Sequence, residues 1–303
     1  KADYSGVELR AAALEAQEST LLEVFQHPAE IDGESNPAGD PHRQILELIT
    51  GAYSDEQRTI AKGLNFGTLY GCGPGGLNNQ LHRAGVVMPL AEAANWLDQW
   101  RRARPALVAW QERIKRESKR TRISVTPCGR RVSVYELVKG EGIKHRPTLA
   151  LNVPIQGGCA EAAMLALAEI DRLLVAHALD AAVIAVVHDE IVLEASEADA
   201  DAAGRLLLQA MAQGFWQVYG TYPNFEKVAG QLLSSGYKIA ETWKGKPLDP
   251  ACLPAALSRE IELVQDDDED DAAEDDAGAD FIPWPASYCT APPKTRTKTA
   301  APV

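Results

Sequence analysis

Four side chains stand at four-residue steps in the stretch from Asp55 to Gly76: Arg58, Lys62, Phe66 and Tyr70. On a helix, residues four apart share one face, one turn above the next. That face would carry two cations and then two aromatic rings. A guanidinium and an ammonium a turn apart suit a polyphosphate. Two rings further along suit something flat, such as a base or a sugar face. A phosphate clamp and an aromatic platform on one helix face make a nucleotide site. An amphipathic helix with its rings against a core gives the same stripe, but two features favour the site. The helix runs into Gly67, Gly71, Gly73, Gly75 and Gly76, which keeps bulk away and fits close approach by a ligand. Two groups of carboxylates elsewhere also need a partner of this kind.

The first group is Asp3 and Glu8 in DYSGVELR, a short extended piece that turns helical. A D-x4-E pair is common on surfaces and says little alone. The second is His188-Asp189-Glu190, set between the apolar runs Ala181–Val187 and Ile191–Ala195. Gly, Asn or Pro normally fills so tight a turn. Three ionisable residues beside a core are costly there without a metal or a partner.

R-x3-K-x2-NFG-x2-YG closely resembles motif B, the fingers helix of family A DNA polymerases of the DNA polymerase I type, bacterial or phage. DYSGVELR resembles motif A of the same family, and the apolar-flanked H-D-E resembles motif C. The resemblance covers roughly residues 1–244, from motif A onward, and the three motifs stand in the family's order. It implies template-directed DNA synthesis: transfer of a nucleotide from a dNTP to a primer 3′-hydroxyl, with two Mg2+ ions. Asp3 and Asp189 would be the metal ligands, with Glu190 assisting. Arg58 and Lys62 would hold the dNTP phosphates, and Lys62 could give a proton to the leaving group. Phe66 would lie against the sugar and base, and Tyr70 would cap the templating position. Glu8 would sit beneath the sugar where a 2′-hydroxyl would have to fit.

Further matches are single residues. The family has D-x-H before its fingers helix, and His42 in Asp40-Pro41-His42 stands where its His touches the phosphates. N-x-P-x-Q-G at Asn152–Gly157 resembles the start of the helix along the primer-template. Asn152 and Gln156 share a face there, and amides suit minor-groove acceptors. Asn152 also reads as an N-cap with Pro154 in the first turn. His188 would lie close to the primer 3′ end. Gly6 replaces a glutamine common in bacterial members, and Thr148 stands where the family often has Arg, with Arg146 near but out of phase.

Composition sets the wider frame. A chain of 303 residues, 46% of them apolar, allows one large domain or two modest ones with a sizeable core. No apolar run reaches membrane-spanning length and no signal peptide is present. Five scattered cysteines without a C-x2-C pair argue against zinc or a disulfide framework and fit a reducing, intracellular setting: bacterial cytoplasm or a phage-infected host. The net charge of −13 looks wrong for a DNA binder, but residues 245–303 hold 13 Asp/Glu against 5 Lys/Arg and so carry −8 of it. Local patches matter more. One basic patch runs from Arg101 to Arg122.

Period and punctuation place the elements. Helices are expected over Leu21–Gln26, Arg43–Gly51, 55–71, Leu90–Arg104, Pro105–Arg120, Asn152–Leu179 and Ala200–Val218. His42 ends an exposed loop rich in Pro, Gly and Asp. Arg122–Val134 reads as a hairpin and Phe225–Ile239 as a final strand-like segment. The fold class is α+β: a palm with an antiparallel sheet, plus helical fingers. Residues 1–13 would be palm, 14–145 fingers, 146–244 palm, and 245–303 a disordered acidic tail. Thumb and exonuclease sequences are missing, and Lys1 is not a translation start. The chain is therefore expected to need an upstream polymerase half, in cis or in trans. The alternatives are a non-catalytic DNA-binding remnant and, less favoured, a metal-dependent nuclease, which has no use for the Arg58–Tyr70 stripe.

Overall fold

The computed structural model describes residues 1–240 except 29, 32–33, 55–56, 139–141, 231 and 234–235. The expected tail, and the start of the helix expected from 55, lie outside the described residues. The chain opens with β1 (Ala2–Asp3), and α1 (Val7–Ala16) follows at once. Gly6 makes the reversal, with a φ of 64° that a side chain would resist. Leu9, Ala11, Ala12, Ala13 and Leu14 of α1 are all buried. Burial at so many positions places α1 in the centre, and its small residues let neighbours come close.

Next come α2 (Ser19–Val24), the short hairpin β2 (Glu30–Ile31) and β3 (Glu34–Ser35), and α3 (Pro41–Thr50). The clamp helix is α4 (Arg58–Leu69), capped by Tyr70. Then follow α5 (Pro74–Arg83), α6 (Leu90–Ala103) and α7 (Pro105–Thr121). Trp96, Trp100 and Trp110 are buried in the core. The hairpin of β4 (Ile123–Val125) and β5 (Arg131–Ser133) lies within the expected segment. A further hairpin, β6 (Tyr135–Val138) and β7 (Gly142–His145), precedes α8 (Pro147–Ala176). The chain continues through β8 (Ala181–Val187), β9 (Glu190–Ala195), α9 (Ala200–Tyr219) and α10 (Phe225–Ala229).

The main sheet is antiparallel, in the order β1-β9-β8. It joins the first residues to the end of the described chain, and Tyr237 adds a bridge to Ala2. α8 and α9 share the most extensive helix–helix contact. Gly214 permits it: a Cβ there would meet the Ala162 carbonyl at 2.3 Å. Among the described residues, no helix is long and apolar enough to cross a membrane.

Several expectations need correction. His42 is not in a loop but in the first turn of α3, because Asp40 caps that turn and Pro41 suits its first position. Asn152 is not an N-cap, since α8 starts five residues earlier with Pro147 in the first turn. Pro154 therefore lies inside the helix, where it cannot donate to the Ala150 carbonyl. Ser124 Oγ donates to that carbonyl instead, at 2.8 Å. Phe225–Ile239 begins not with a strand but with α10, and among the described residues its strand character is confined to the Tyr237 bridge. The glycine at 67 serves packing rather than a ligand. A Cβ there would meet Gln80 Oε1 at 2.7 Å and Cys72 Sγ at 2.9 Å, so it admits α5.

Buried polar groups lock the helices together. Glu18, buried after α1, accepts from the backbone N–H groups of Ala106 (3.0 Å) and Leu107 (3.1 Å). It caps α7 from a distance, completing donors that Pro105 leaves open. Buried Arg104 donates to Thr20 Oγ1 and to Gln44 Oε1, the latter at 2.9 Å. Gln44 in turn donates to the Thr20 carbonyl at 2.7 Å. Each polar group at this junction has a partner.

Candidate active site

The carboxylates meet at one corner of the sheet. In the β1–β9 register Asp3 stands opposite Glu190, and Val187 pairs with Glu190 across the β8–β9 turn. The turn is therefore only His188 and Asp189, with Glu190 already in the strand. His188 takes a φ of 59°, a region that His enters more readily than most side chains. Like charges directly opposite on a sheet repel. The Asp3 carboxyl is raised to about 6, chiefly by partial burial, then by the charges of Asp189 and Glu190. Lys1 Nζ lies 3.0 Å from Glu190 Oε2 and offsets part of that charge. The Asp3 residue stays exposed, so a cation can reach it.

This donor set suits a particular kind of cation. Among the described residues no cluster of three or more His, Cys, Asp or Glu ligands forms. Magnesium needs no such cage, since it binds through one or two carboxylates together with substrate phosphates and water. Two mutually repelling carboxylates fit that demand.

A second group gathers around Glu8. The Tyr70 hydroxyl, at the end of α4, donates to Glu8 Oε2. Gln156 Nε2, on α8, reaches Glu8 Oε1 at 3.3 Å. One carboxylate on α1 thus ties the clamp helix to α8. Burial, then Glu8, pushes the Tyr70 phenol up. The Cys159 thiol on α8 is raised by burial, then by the charges of Glu8 and Asp189. Asn152 does not join the group, and its Oδ1 is buried without a hydrogen-bond partner among the described residues. His188 is exposed on its turn.

The third group lies along α4. Arg58 and Lys62 are exposed, while Phe66 and Tyr70 are half-buried. Arg58 pairs with Asp40 Oδ2 at 3.1 Å, and Asp40 Oδ1 accepts from the His42 backbone N–H at 2.8 Å. Lys62 has no ion pair among the described residues. The His42 and Phe66 rings lie 5.7 Å apart between centroids. His42 is lowered to about 4 by burial, with Asp40 opposing and Arg58 and Lys62 assisting.

The structure thus brings Asp3, Asp189 and Glu190 together, joins Glu8 to Tyr70 and Gln156, and gathers His42, Arg58, Lys62 and Phe66. Sequence reasoning missed the residues that hold these groups. Asp40 pairs with Arg58; in the sequence it reads only as the Asp of the D-x-H match, with no role of its own. Arg10, the buried last residue of DYSGVELR, donates to the Ser5 carbonyl at 2.7 Å and lies 4.3 Å from the centre of the Phe25 ring. Asn65 faces away from the stripe and bonds His42 from behind.

A family model described as DNA polymerase family A matches residues 1–219. The chain belongs to DNA polymerase family A. It is 34% identical over 198 residues to DNA polymerase I of Pseudomonas aeruginosa, covering 65% of this chain and 20% of that protein. Against the thermostable DNA polymerase I of Thermus aquaticus it is 30% identical over 225 residues, covering 73% and 24%. The chain therefore spans about a fifth to a quarter of these relatives. In fold it resembles the POL domain of Pol1 from M. smegmatis, solved in complex with DNA primer-template and dNTP. The TM-score is 0.58 at 23% identity, over 70% of this chain and 36% of that one.

Proposed function

We propose that this family A polymerase chain is the fingers and main palm portion of a template-directed DNA polymerase, acting with an upstream thumb and palm portion in cis or in trans. Residues 1–13 and 146–244 form the palm and 14–145 the fingers. The observation that carries the reading is the convergence of Asp3, Asp189 and Glu190 at one sheet corner, where their mutual repulsion calls for cations. Asp3 and Asp189 would hold two Mg2+ ions, with Glu190 beside them, and the ions would supply activation of the primer 3′-hydroxyl and charge stabilisation for the leaving pyrophosphate.

The remaining work belongs to side chains of this chain. Arg58, Lys62 and His42 bind the dNTP phosphates, and Lys62 donates a proton to the departing pyrophosphate. Phe66 lies against the sugar and base, and Tyr70 caps the templating position. Glu8 lies beneath the sugar and excludes a 2′-hydroxyl. Asn152 and Gln156 contact the minor groove of primer-template DNA, and His188 approaches the primer end. Closure of α4 excludes water and completes the site.

Primer extension with and without the upstream portion tests this. Extension of a primed template when both portions are present supports it. Duplex binding with no extension under any combination makes the chain a non-catalytic DNA-binding remnant.

A further inference from the structure

Asn65 lies on the buried side of α4, opposite the proposed nucleotide face. Its amide meets three groups. Oδ1 is 3.2 Å from Trp100 Nε1, and Nδ2 is 3.0 Å from the Pro41 carbonyl and 3.1 Å from His42 Nδ1. Two of these partners have fixed roles: an indole N–H only donates, and a proline carbonyl only accepts. Both demand the same orientation of the amide, with oxygen toward Trp100 and nitrogen toward Pro41. The Nδ2 group therefore presents a hydrogen to His42 Nδ1, which must offer a lone pair. In a neutral imidazole the proton then sits on Nε2. Nε2 has no hydrogen-bond partner among the described residues.

We propose that Asn65 is a positioning residue that fixes His42 as a neutral imidazole protonated on Nε2, so that His42 meets the nucleotide triphosphate as a hydrogen-bond donor and not as a cation. The phosphate as partner rests on the function proposed above; the tautomer does not. Protonating Nδ1 would set two N–H groups against each other, which adds to the cost of charging a buried ring. The charged groups facing the ring agree in sum. Arg58 and Lys62 on α4 oppose protonation, Asp40 at the start of α3 favours it, and burial outweighs Asp40. The positive charge for the phosphates then comes from Arg58 and Lys62 alone. His42 adds direction, because a fixed N–H tells a phosphate oxygen where to sit.

The test is long-range proton–nitrogen correlation of the full chain labelled at histidine nitrogens. His42→Gln assigns the His42 signals by their loss. The wild type should show the neutral Nε2–H pattern at neutral pH and keep it to about pH 5. Asn65→Asp reverses the polarity facing Nδ1 and should move the proton there or charge the ring. Trp100→Phe removes the group that orients the amide and should give a mixture, which guards against Asn65→Asp failing to fold. Adding dATP should shift the Nε2 signal. A wild-type Nδ1–H pattern, or a tautomer unchanged in both variants, overturns the role of Asn65. An Nε2–H pattern indifferent to dATP overturns the phosphate as its partner while leaving the tautomer in place.

Discussion

One cluster of charge precedes α1 and another follows it. Before α1, Asp3 faces Glu190 and Asp189 across the sheet corner, like charge against like. After α1, Glu18 and Arg104 are buried with Thr20, Gln44 and the first turn of α7, and each polar group is matched. The two clusters stand at opposite levels of charge balance. The matched one fixes how the helices sit. The first is tolerable because Asp3 stays exposed and Lys1 offsets part of the charge on Glu190. On the proposed reading, stability and chemistry fall to different charges, one helix apart.

Perturbing the matched cluster should show up first as instability. Glu18→Ala would strand two α7 N–H groups and leave Arg104 without its nearby charge. Loss of a buried charged partner costs about 3 kcal/mol or more. Urea unfolding should show that loss, and a change below about 1 kcal/mol would place Glu18 among ordinary surface residues.

The proposed nucleotide face should behave in the opposite way, changing selectivity and not stability. Phe66 has no hydroxyl, and by resemblance to the family a tyrosine there replaces the interaction a dideoxynucleotide lacks. Phe66→Tyr should therefore raise ddNTP incorporation relative to dNTP. One hydrogen bond to a charged ligand is worth about 1.5–3 kcal/mol, or roughly ten- to a hundred-fold. An unchanged ratio, measured with the upstream portion supplied, would mean that Phe66 does not touch the sugar. Glu8→Ala should separately relax exclusion of ribonucleotides.

Acid titration sharpens the contrast through its sign. His42 falls to about 4 from an ordinary 6.5. Folding favours its neutral form, so its contribution is complete above about pH 6.5 and is lost as pH falls toward 4. Asp3 has the opposite sign. Raised from 3.8 to about 6, it favours the folded state as pH falls through that interval. The difference between wild type and His42→Gln isolates the first effect, on the order of 2 kcal/mol in favour of the variant at pH 4. No difference across that range would contradict the burial assigned to His42.

The smallest expected effect concerns the acidic tail. Removing residues 262–303 should tighten DNA binding a few-fold at about 0.01 M salt, where screening reaches about 30 Å. The gain should fade at physiological ionic strength. Equal affinities at low salt would leave the tail without influence on DNA.

Much of this was legible in the sequence, and the reasons divide along the same line. The long amphipathic helices announced themselves by period, and α6 and α7 came within a residue or so of their expected ends. The β8–β9 hairpin was readable because two apolar runs flank an improbable turn. What stayed hidden depends on contacts between distant segments. Pro154 reads as a helix start unless Ser124 is known to satisfy the Ala150 carbonyl. Gly67 reads as ligand space unless Gln80 and Cys72 are known to fill it. The hairpin of β6 and β7 carries little pattern of its own. At the site, motif residues were found by resemblance, whereas Asp40, Asn65 and Arg10 hold them by bonds that no spacing rule reports.

On the proposed reading, Asp3 and Asp189 carry the chemistry while Glu18 and Arg104 hold the fold. The most direct measurement takes Asp189→Ala, supplies the upstream portion, and records primer extension, duplex binding by gel shift, and urea stability on the same preparation. The account predicts that extension falls by about a thousand-fold or more, given the several kcal/mol that metal-bound charge stabilisation contributes. Duplex binding should stay largely intact, and stability should hold or rise as a repelling charge is removed. Substantial extension by Asp189→Ala would contradict it.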